Sequence, residues 1–297
     1  MRSAARVCGL LVQWSVVVIL GVVLTRPLLD FSGWWNVAAL AVFLVLGTLT
    51  LLFGRLARRN TPPEAVEVAP PLSGAWLAMN SPADRVPSHG TRAYGQEYAI
   101  DVLTDSEERP AFGWWPPVRH NRDFPTFGEP LLAVADAVVV HARDHRRDHL
   151  SRNSYPALAY LLVEGAVRSL GGAGPVVGNH VVLDLGGGVF ALYAHVRRGS
   201  LKVREGDRVR TGQTLALCGN SGNSTEPHLH FQLMDRADPD LGQGIPFTWR
   251  GVGVPANGER FEVPDPVGGR GRPSGGTAPV RVRLDGRAES DRANGGT

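Results

Sequence analysis

Cysteine is almost missing from these 297 residues, with Cys8 and Cys218 the only two. Cys8 falls in an apolar run and Cys218 in the body of the chain, so a disulfide-built scaffold is excluded and packing must hold the body together. A dominant charge is also lacking. The formal net charge is +3, and no basic patch interleaved with aromatic residues stands out, which argues against a nucleic-acid partner. Helical periodicity is scarce beyond residue 60, which excludes a helical bundle as the main architecture.

Long uncharged runs, by contrast, open the chain. Val7 to Leu24, "VCGLLVQWSVVVILGVVL", is 18 residues with Gln13 its clearest polar position, and Trp34 to Phe53, "WWNVAALAVFLVLGTLTLLF", is 20 residues without charge. At the rise of an α-helix they reach about 27 and 30 Å, the hydrocarbon thickness of a bilayer. A cleaved signal peptide fits poorly, because "LTRPLL" after the first run offers no small-x-small site. Residues 1–57 are therefore expected to form a hairpin of two transmembrane helices turning at "TRPLLDFSG", which makes the protein a multi-pass protein of the cytoplasmic membrane. Arg2 and Arg6 precede the first run, and Arg55, Arg58 and Arg59 follow the second. By the positive-inside rule both ends then lie in the cytoplasm.

After a proline-bearing linker, 58–71, the stretch 72–265 breaks into short apolar runs separated by Gly, Asn and Asp. "QEYAIDVL", "LLAVADAVVVHA", "GNHVVLDLG", "VFALYAHV", "TLALCGN" and "HLHFQLM" read as strands. The expected fold class is all-β, an antiparallel sheet or sandwich. An insertion near 142–175 contains "SYPALAYLLVEGAVRSLGG", whose apolar positions fit a helix or an inserted hairpin. Residues 266–297, rich in Gly, Arg, Pro and Ser, cannot bury enough apolar surface to offset their ordering entropy and read as a disordered tail.

The chemistry concentrates in "PHLHFQL". If this run is a strand, His228 and His230 share one face while Leu229, Phe231 and Leu233 take the other. Such a pair alone is equally what a hydrogen-bonded core or an exposed polar face would look like, so partners must come from elsewhere. Asp101 sits in the apolar run "YAIDV", where a carboxylate is costly unless paired or coordinated. His89 lies upstream in "VPSHG", and His195 ends the run "VFALYAHV". A histidine, a carboxylate and one histidine of the pair would make a three-ligand site that leaves zinc an open position, the arrangement of catalytic zinc. His141, His145 and His149 in "HARDHRRDH" have the i, i+4, i+8 spacing of one helical face; a charged, solvated segment explains them better than a second metal site. His120 and His180 have no evident partner and read as structural.

At these residues the chain resembles a family. "YAHV", the paired turns "REGDRV" and "RTGQTLA", and "GNSGNSTEPHLHF" look like the core of the LytM/lysostaphin-type zinc metallopeptidases, which cut peptide bonds in bacterial peptidoglycan. "GEPLLAVADAVVV" resembles the family strand that precedes the central hairpin. The resemblance spans roughly 85–235. It implies one Zn2+ held by His89, Asp101 and His230, with His195 and His228 as catalytic imidazoles and peptidoglycan peptides as the partner. In the family's usual first motif His and Asp stand a few residues apart, whereas here eleven separate them, a difference that a loop between strands has to absorb. The glycine turns also look like the hammerhead of biotinyl and lipoyl carriers. Those need a lysine at a hairpin tip, and the chain's one lysine, Lys202, precedes the turns.

The function expected is thus a membrane-anchored zinc metalloendopeptidase acting on peptidoglycan cross-links. The alternative is a non-catalytic LytM-like module that binds the wall or activates another hydrolase. A wall substrate requires an extracytoplasmic domain, against the arginine count, and that placement is the one expected here. The sequence names neither the bond cleaved nor the separate roles of His195 and His228.

Overall fold

The structure is a computed structural model that describes residues 2–25, 33–57, 61 and 63–264. The turn at 26–32 and the tail at 266–297, read above as hairpin turn and disordered segment, lie outside the described residues. The two apolar runs form helices α1 (Arg2–Thr25) and α2 (Gly33–Ala57). They pack as an antiparallel pair, with a Cβ at Gly9 near the start of α1 only 3.8 Å from Thr50 near the end of α2. Both are long and apolar enough to cross a membrane, and almost none of either is buried inside the protein. That exposure separates them from core helices of a soluble domain.

The strands follow in the order β1 (Val66–Val68), β2 (Gly74–Met79), β3 (Ile100–Thr104), β4 (Pro130–Leu132), β5 (Ala137–Arg143), β6 (His180–Asp184) and β7 (Phe190–Ala194). Then come β8 (Arg208–Val209), β9 (Thr214–Leu217), β10 (Leu229–Met234), β11 (Gly244–Ile245), β12 (Phe247–Trp249) and β13 (Arg260–Val263). The main sheet has the order β13-β2-β3-β10-β7-β6-β5-β8, with β11 added beside β10. Its pairings are antiparallel, and β4 pairs antiparallel with β9. The exception is β1, which runs parallel to β12. Thus part of the stretch 58–71 is already built into the domain.

Two details refine the strand reading of the sequence. "LLAVADAVVVHA" is two strands rather than one, because Asp136 turns out to accept from the Thr211 amide and hydroxyl at 2.8 and 2.9 Å. The insertion supplies helices α3 (Tyr155–Ser169) and α4 (Ala173–Val177) rather than a hairpin. Ser154 caps α3, its hydroxyl accepting from the Ala157 amide at 3.2 Å, and Pro156 sits in the first turn where its missing N–H costs nothing. The domain is otherwise the antiparallel β architecture expected.

Period two decides the core. From β10, Leu229, Phe231 and Leu233 point into one cluster with Tyr193, Trp76, Leu215 and Trp249. Phe231 meets Tyr193 and Phe247 edge-on, at ring separations of 5.3 and 5.1 Å. The opposite face of the same strand carries His230 and Gln232, with Met234 at its end.

Candidate metal centre and active site

β10 lies between β3 and β7, and the register brings His230 opposite Asp101 on one side and opposite Ala194, the neighbour of His195, on the other. Three segments distant in sequence therefore meet at one place. The ligand atoms of His89, Asp101 and His230 all lie within 4.8 Å of one another. His89 Nε2 is 3.0 Å from Asp101 Oδ2, and His230 Nδ1 is 2.8 Å from Asp101 Oδ1.

The surrounding hydrogen bonds fix which nitrogen of each ring carries the proton. Gln232 Nε2 donates to the Tyr94 carbonyl at 2.8 Å, so its Oε1 faces His230 Nε2 at 3.0 Å and must accept from it. The lone pair of His230 is then at Nδ1, facing Asp101. The Ser88 hydroxyl donates to the Gln96 carbonyl at 3.3 Å and so accepts from His89 Nδ1 at 3.0 Å, which leaves the His89 lone pair at Nε2, also facing Asp101. Two imidazole lone pairs directed at a carboxylate repel each other unless a cation sits among them. Oxygen and nitrogen donors in this number suit zinc. Asn80 Nδ2 donates to Asp101 Oδ2 at 2.8 Å and steadies the carboxylate.

Burial alone would push the Asp101 carboxyl up. The imidazoles of His89 and His228 beside it hold it well below the usual carboxylate range instead.

Two further imidazoles border the cluster. The His195 ring lies 4.8 Å from that of His228 and 5.8 Å from that of His230. His195 Nδ1 donates to the Ser221 carbonyl at 2.7 Å, and His228 Nδ1 donates to the Glu226 carbonyl at 2.8 Å. A carbonyl only accepts, so Nδ1 carries a proton in both rings and Nε2 is the atom left for the site. Burial, with His228 and His230 beside it, pushes His195 well below its ordinary value and keeps it neutral. For His228 burial works the same way, but Asp101, with His228 Nε2 at 3.5 Å, and the Glu226 carbonyl outweigh it and raise the value. His195 reaches this position from a left-handed backbone, φ 60°, a conformation uncommon outside glycine that re-aims the ring as the strand ends.

All five residues singled out in the sequence are thus brought together. The eleven residues between His89 and Asp101 form a tight loop with a 3-10 segment, Ala93–Tyr98, in which Tyr94 and Gly95 have positive φ. A Cβ at Gly95 would lie 2.9 Å from Gln232 Nε2, so glycine lets this loop close over the residue that orients His230. The long spacing is an added wall of the site. Asn80, Ser88 and Gln232 were not picked out from the sequence. Gln232 had a signal, since it follows His228 and His230 at the same period of two; Asn80 had none. The loop Asn220–Glu226 is pinned by Arg109, whose Nε and Nη2 donate to the two Glu226 oxygens at 3.0 and 2.6 Å.

The other histidines do not assemble. His141 lies in β5, while His145 and His149 follow outside any helix or strand, so the helical face that their spacing allowed does not form, and buried His149 departs from the solvated segment expected. Pairing of β5 with β6 takes precedence over the helical spacing. Buried His149 faces the Leu150 and Gly222 carbonyls at 2.8 and 2.9 Å and contacts Arg152. His180 Nδ1 donates to the Gly178 carbonyl at 2.9 Å, the structural part expected of it.

Residues 157–240 match the model of Peptidase family M23. The chain is 38% identical over 112 residues to "Peptidoglycan DD-endopeptidase ShyA" of Vibrio cholerae, a match covering 38% of this chain and 19% of that protein. It is 40% identical over 74 residues to "Glycyl-glycine endopeptidase ALE-1" of Staphylococcus capitis, covering 25% of this chain and 18% of the other. The chain thus spans about a fifth of the length of these curated relatives. Among solved structures, the catalytic domain of lysostaphin from Staphylococcus simulans aligns at 22% identity and a TM-score of 0.27, over 46% of this chain and 85% of that domain.

Proposed function

Taking as premise that the chain carries a LytM-type domain of Peptidase family M23, we propose that it is a membrane-anchored zinc metalloendopeptidase of peptidoglycan cross-links. The observation that carries this reading is the convergence of His89 Nε2, the Asp101 carboxylate and His230 Nδ1, with the imidazoles of His195 and His228 beside them. His89, Asp101 and His230 would hold one zinc per chain. When bound, zinc supplies a Lewis acid that polarises a scissile carbonyl and acidifies water.

The protein's own part is to place protons. His195, neutral and locked to the Ser221 carbonyl, offers Nε2 as the acceptor for the proton of an attacking water. His228, whose proton Asp101 favours, donates from Nε2 toward the oxygen on which charge develops, and later toward the leaving amine. Gln232 holds His230 in one tautomer and one orientation. A wall substrate requires the domain on the outer side of the cytoplasmic membrane, with α1 and α2 as the anchor.

The test is the zinc content of the purified full chain and its release of peptides from purified cell wall. One zinc per chain, lost in Asp101→Ala, with hydrolysis reduced at least 100-fold in His195→Ala and His228→Ala, is expected of a general acid–base pair. Bound zinc without hydrolysis would leave the domain a wall-binding module, and folded protein without zinc would overturn the metal centre.

A further inference from the structure

α3 is built inside out. On a surface helix the polar side faces water and the apolar side faces the core. Here every exposed position of the helix is apolar or aromatic. Leu162, Val163 and Val167 are 69, 66 and 62% exposed, with Tyr160 beside them. The helix's charges are turned toward the protein instead: Glu164 pairs with buried Arg152 and with Arg168, whose Nη2 is 2.8 Å away. The loop Phe112–Trp115 continues the patch. Phe112 meets Tyr155 edge-on and Trp114 meets it at a tilt, with ring separations of 4.8 and 4.7 Å, and Trp114 and Trp115 are 72 and 82% exposed. A contiguous apolar surface of this kind marks a place where water is normally excluded.

The molecule also says what excludes it. Ser169, at the end of α3, accepts a hydrogen bond from Gln13 at 3.4 Å. Gln13 lies eleven residues beyond Arg2, about 16 Å along α1, among the exposed apolar residues Leu11, Trp14 and Val16. The apolar face of α3 is therefore continuous with the lipid-facing surface of α1 rather than remote from it. Tryptophan and tyrosine at its edge are the residues that favour the boundary of a bilayer.

We propose that α3 and the Phe112–Trp115 loop are seated in the surface of the same membrane that α1 and α2 span, so that lipid covers the exposed face. The proposal rests on the reading of α1 and α2 as spans, and it goes beyond anchoring. A Cβ at Gly165 would stand 3.1 Å from the Asn223 side chain, so α3 packs directly on the loop that carries Ser221, Ser224 and Glu226. Lipid contact would hold the wall of the active site at a set height above the bilayer.

The experiment places one spin label at a time in the full chain, in nanodiscs of mixed anionic and zwitterionic phospholipid. Leu162→Cys reports α3, Val45→Cys reports α2 and Lys202→Cys reports water, all in a Cys8→Ser background with buried Cys218 left in place. Collision with lipid-dissolved oxygen relative to a water-soluble nickel chelate is expected to be severalfold higher at 162 than at 202, and close to that at 45. A water-like 162 with a lipid-like 45 overturns the proposal and leaves the anchor intact. A 162 shielded from both reagents, with its motion arrested, assigns the face to a protein partner or a second copy and overturns it equally. If 45 is itself water-like, the spans fail and the proposal falls with them.

Discussion

Gln232 illustrates how one amide sets the chemistry of another residue. Its Nε2 is fixed by the Tyr94 carbonyl, so its Oε1 is left to hold the His230 proton at Nε2, and the His230 lone pair follows at Nδ1. Leucine at this position would fill similar space without accepting. Gln232→Leu is therefore expected to keep the fold, by circular dichroism, and to weaken zinc binding by about 10- to 100-fold in competition with a fluorescent chelator. Unchanged affinity would mean that the tautomer is set elsewhere. At the same scale, His180 governs a pH effect. Burial pushes its value down, the Gly178 carbonyl pulls it up, and His141, Arg143 and Arg146 push it down again, for a net lowering. Above about pH 6.5 both the folded and unfolded forms are neutral there, so it contributes nothing to the pH dependence. As the pH falls below 6.5 the unfolded chain takes up the proton first, and stability declines. His180→Gln is expected to lose less stability than the wild type between pH 7 and 5, measured by urea midpoints.

Elements impose the next constraint. β10 is one strand with two jobs, because the pleat sends Phe231 to the aromatic cluster and His230 to Asp101 from adjacent positions. A one-residue slip would exchange these faces, so the apolar half of the strand fixes the register on which the histidine half depends. α3 depends on charge rather than on apolar burial, since only Ala157 and Leu161 are buried along its length. Glu164 holds both Arg152 and Arg168. Removing it in Glu164→Ala would leave two guanidinium groups short of a partner, one of them buried. The expected loss is at the low end of the roughly 3–5 kcal/mol of a broken buried pair, read by chemical denaturation. A neutral outcome would mean that α3 is held in place by its apolar contacts alone.

For the whole molecule, the ends of the two helices are tied to one loop of the domain. Arg2 pairs with Asp235 at 2.8 Å, Arg6 pairs with Asp240 at 2.7 Å, and Gln243 Nε2 donates to the Ala57 carbonyl at 2.6 Å. The start of α1 and the end of α2 thus stand on the side where the domain stands. Two of the arginines that count toward a cytoplasmic orientation are neutralised by domain carboxylates, which weakens the conflict between the charge rule and a wall substrate. A tag at the N-terminus and a reporter fused after residue 264 are expected to lie on the same side of the membrane, and on the outer side. Opposite sides would break the hairpin, and a shared cytoplasmic side would remove peptidoglycan as substrate.

Local regularities are what the sequence by itself determined. Two runs without charge are long enough to cross a bilayer, period-two alternation divides β10 into core and site, and Asp101 is conspicuous because a carboxylate in an apolar strand needs a partner. These features depend on neighbours in the chain, so they can be read without coordinates. Period two singled out His228 and His230 and the apolar run singled out Asp101, whereas His89 and His195 joined the candidate set through motifs that resemble a known family. What only the tertiary structure decided depends on contacts across the chain. It set the proton positions of His89 and His230, which Gln96 and Tyr94 govern through Ser88 and Gln232. It chose strand pairing over helical spacing for His141, and it turned α3's charges inward against Arg152. A residue's pattern says what it can do; which of those options it takes is fixed by whatever the fold sets opposite it.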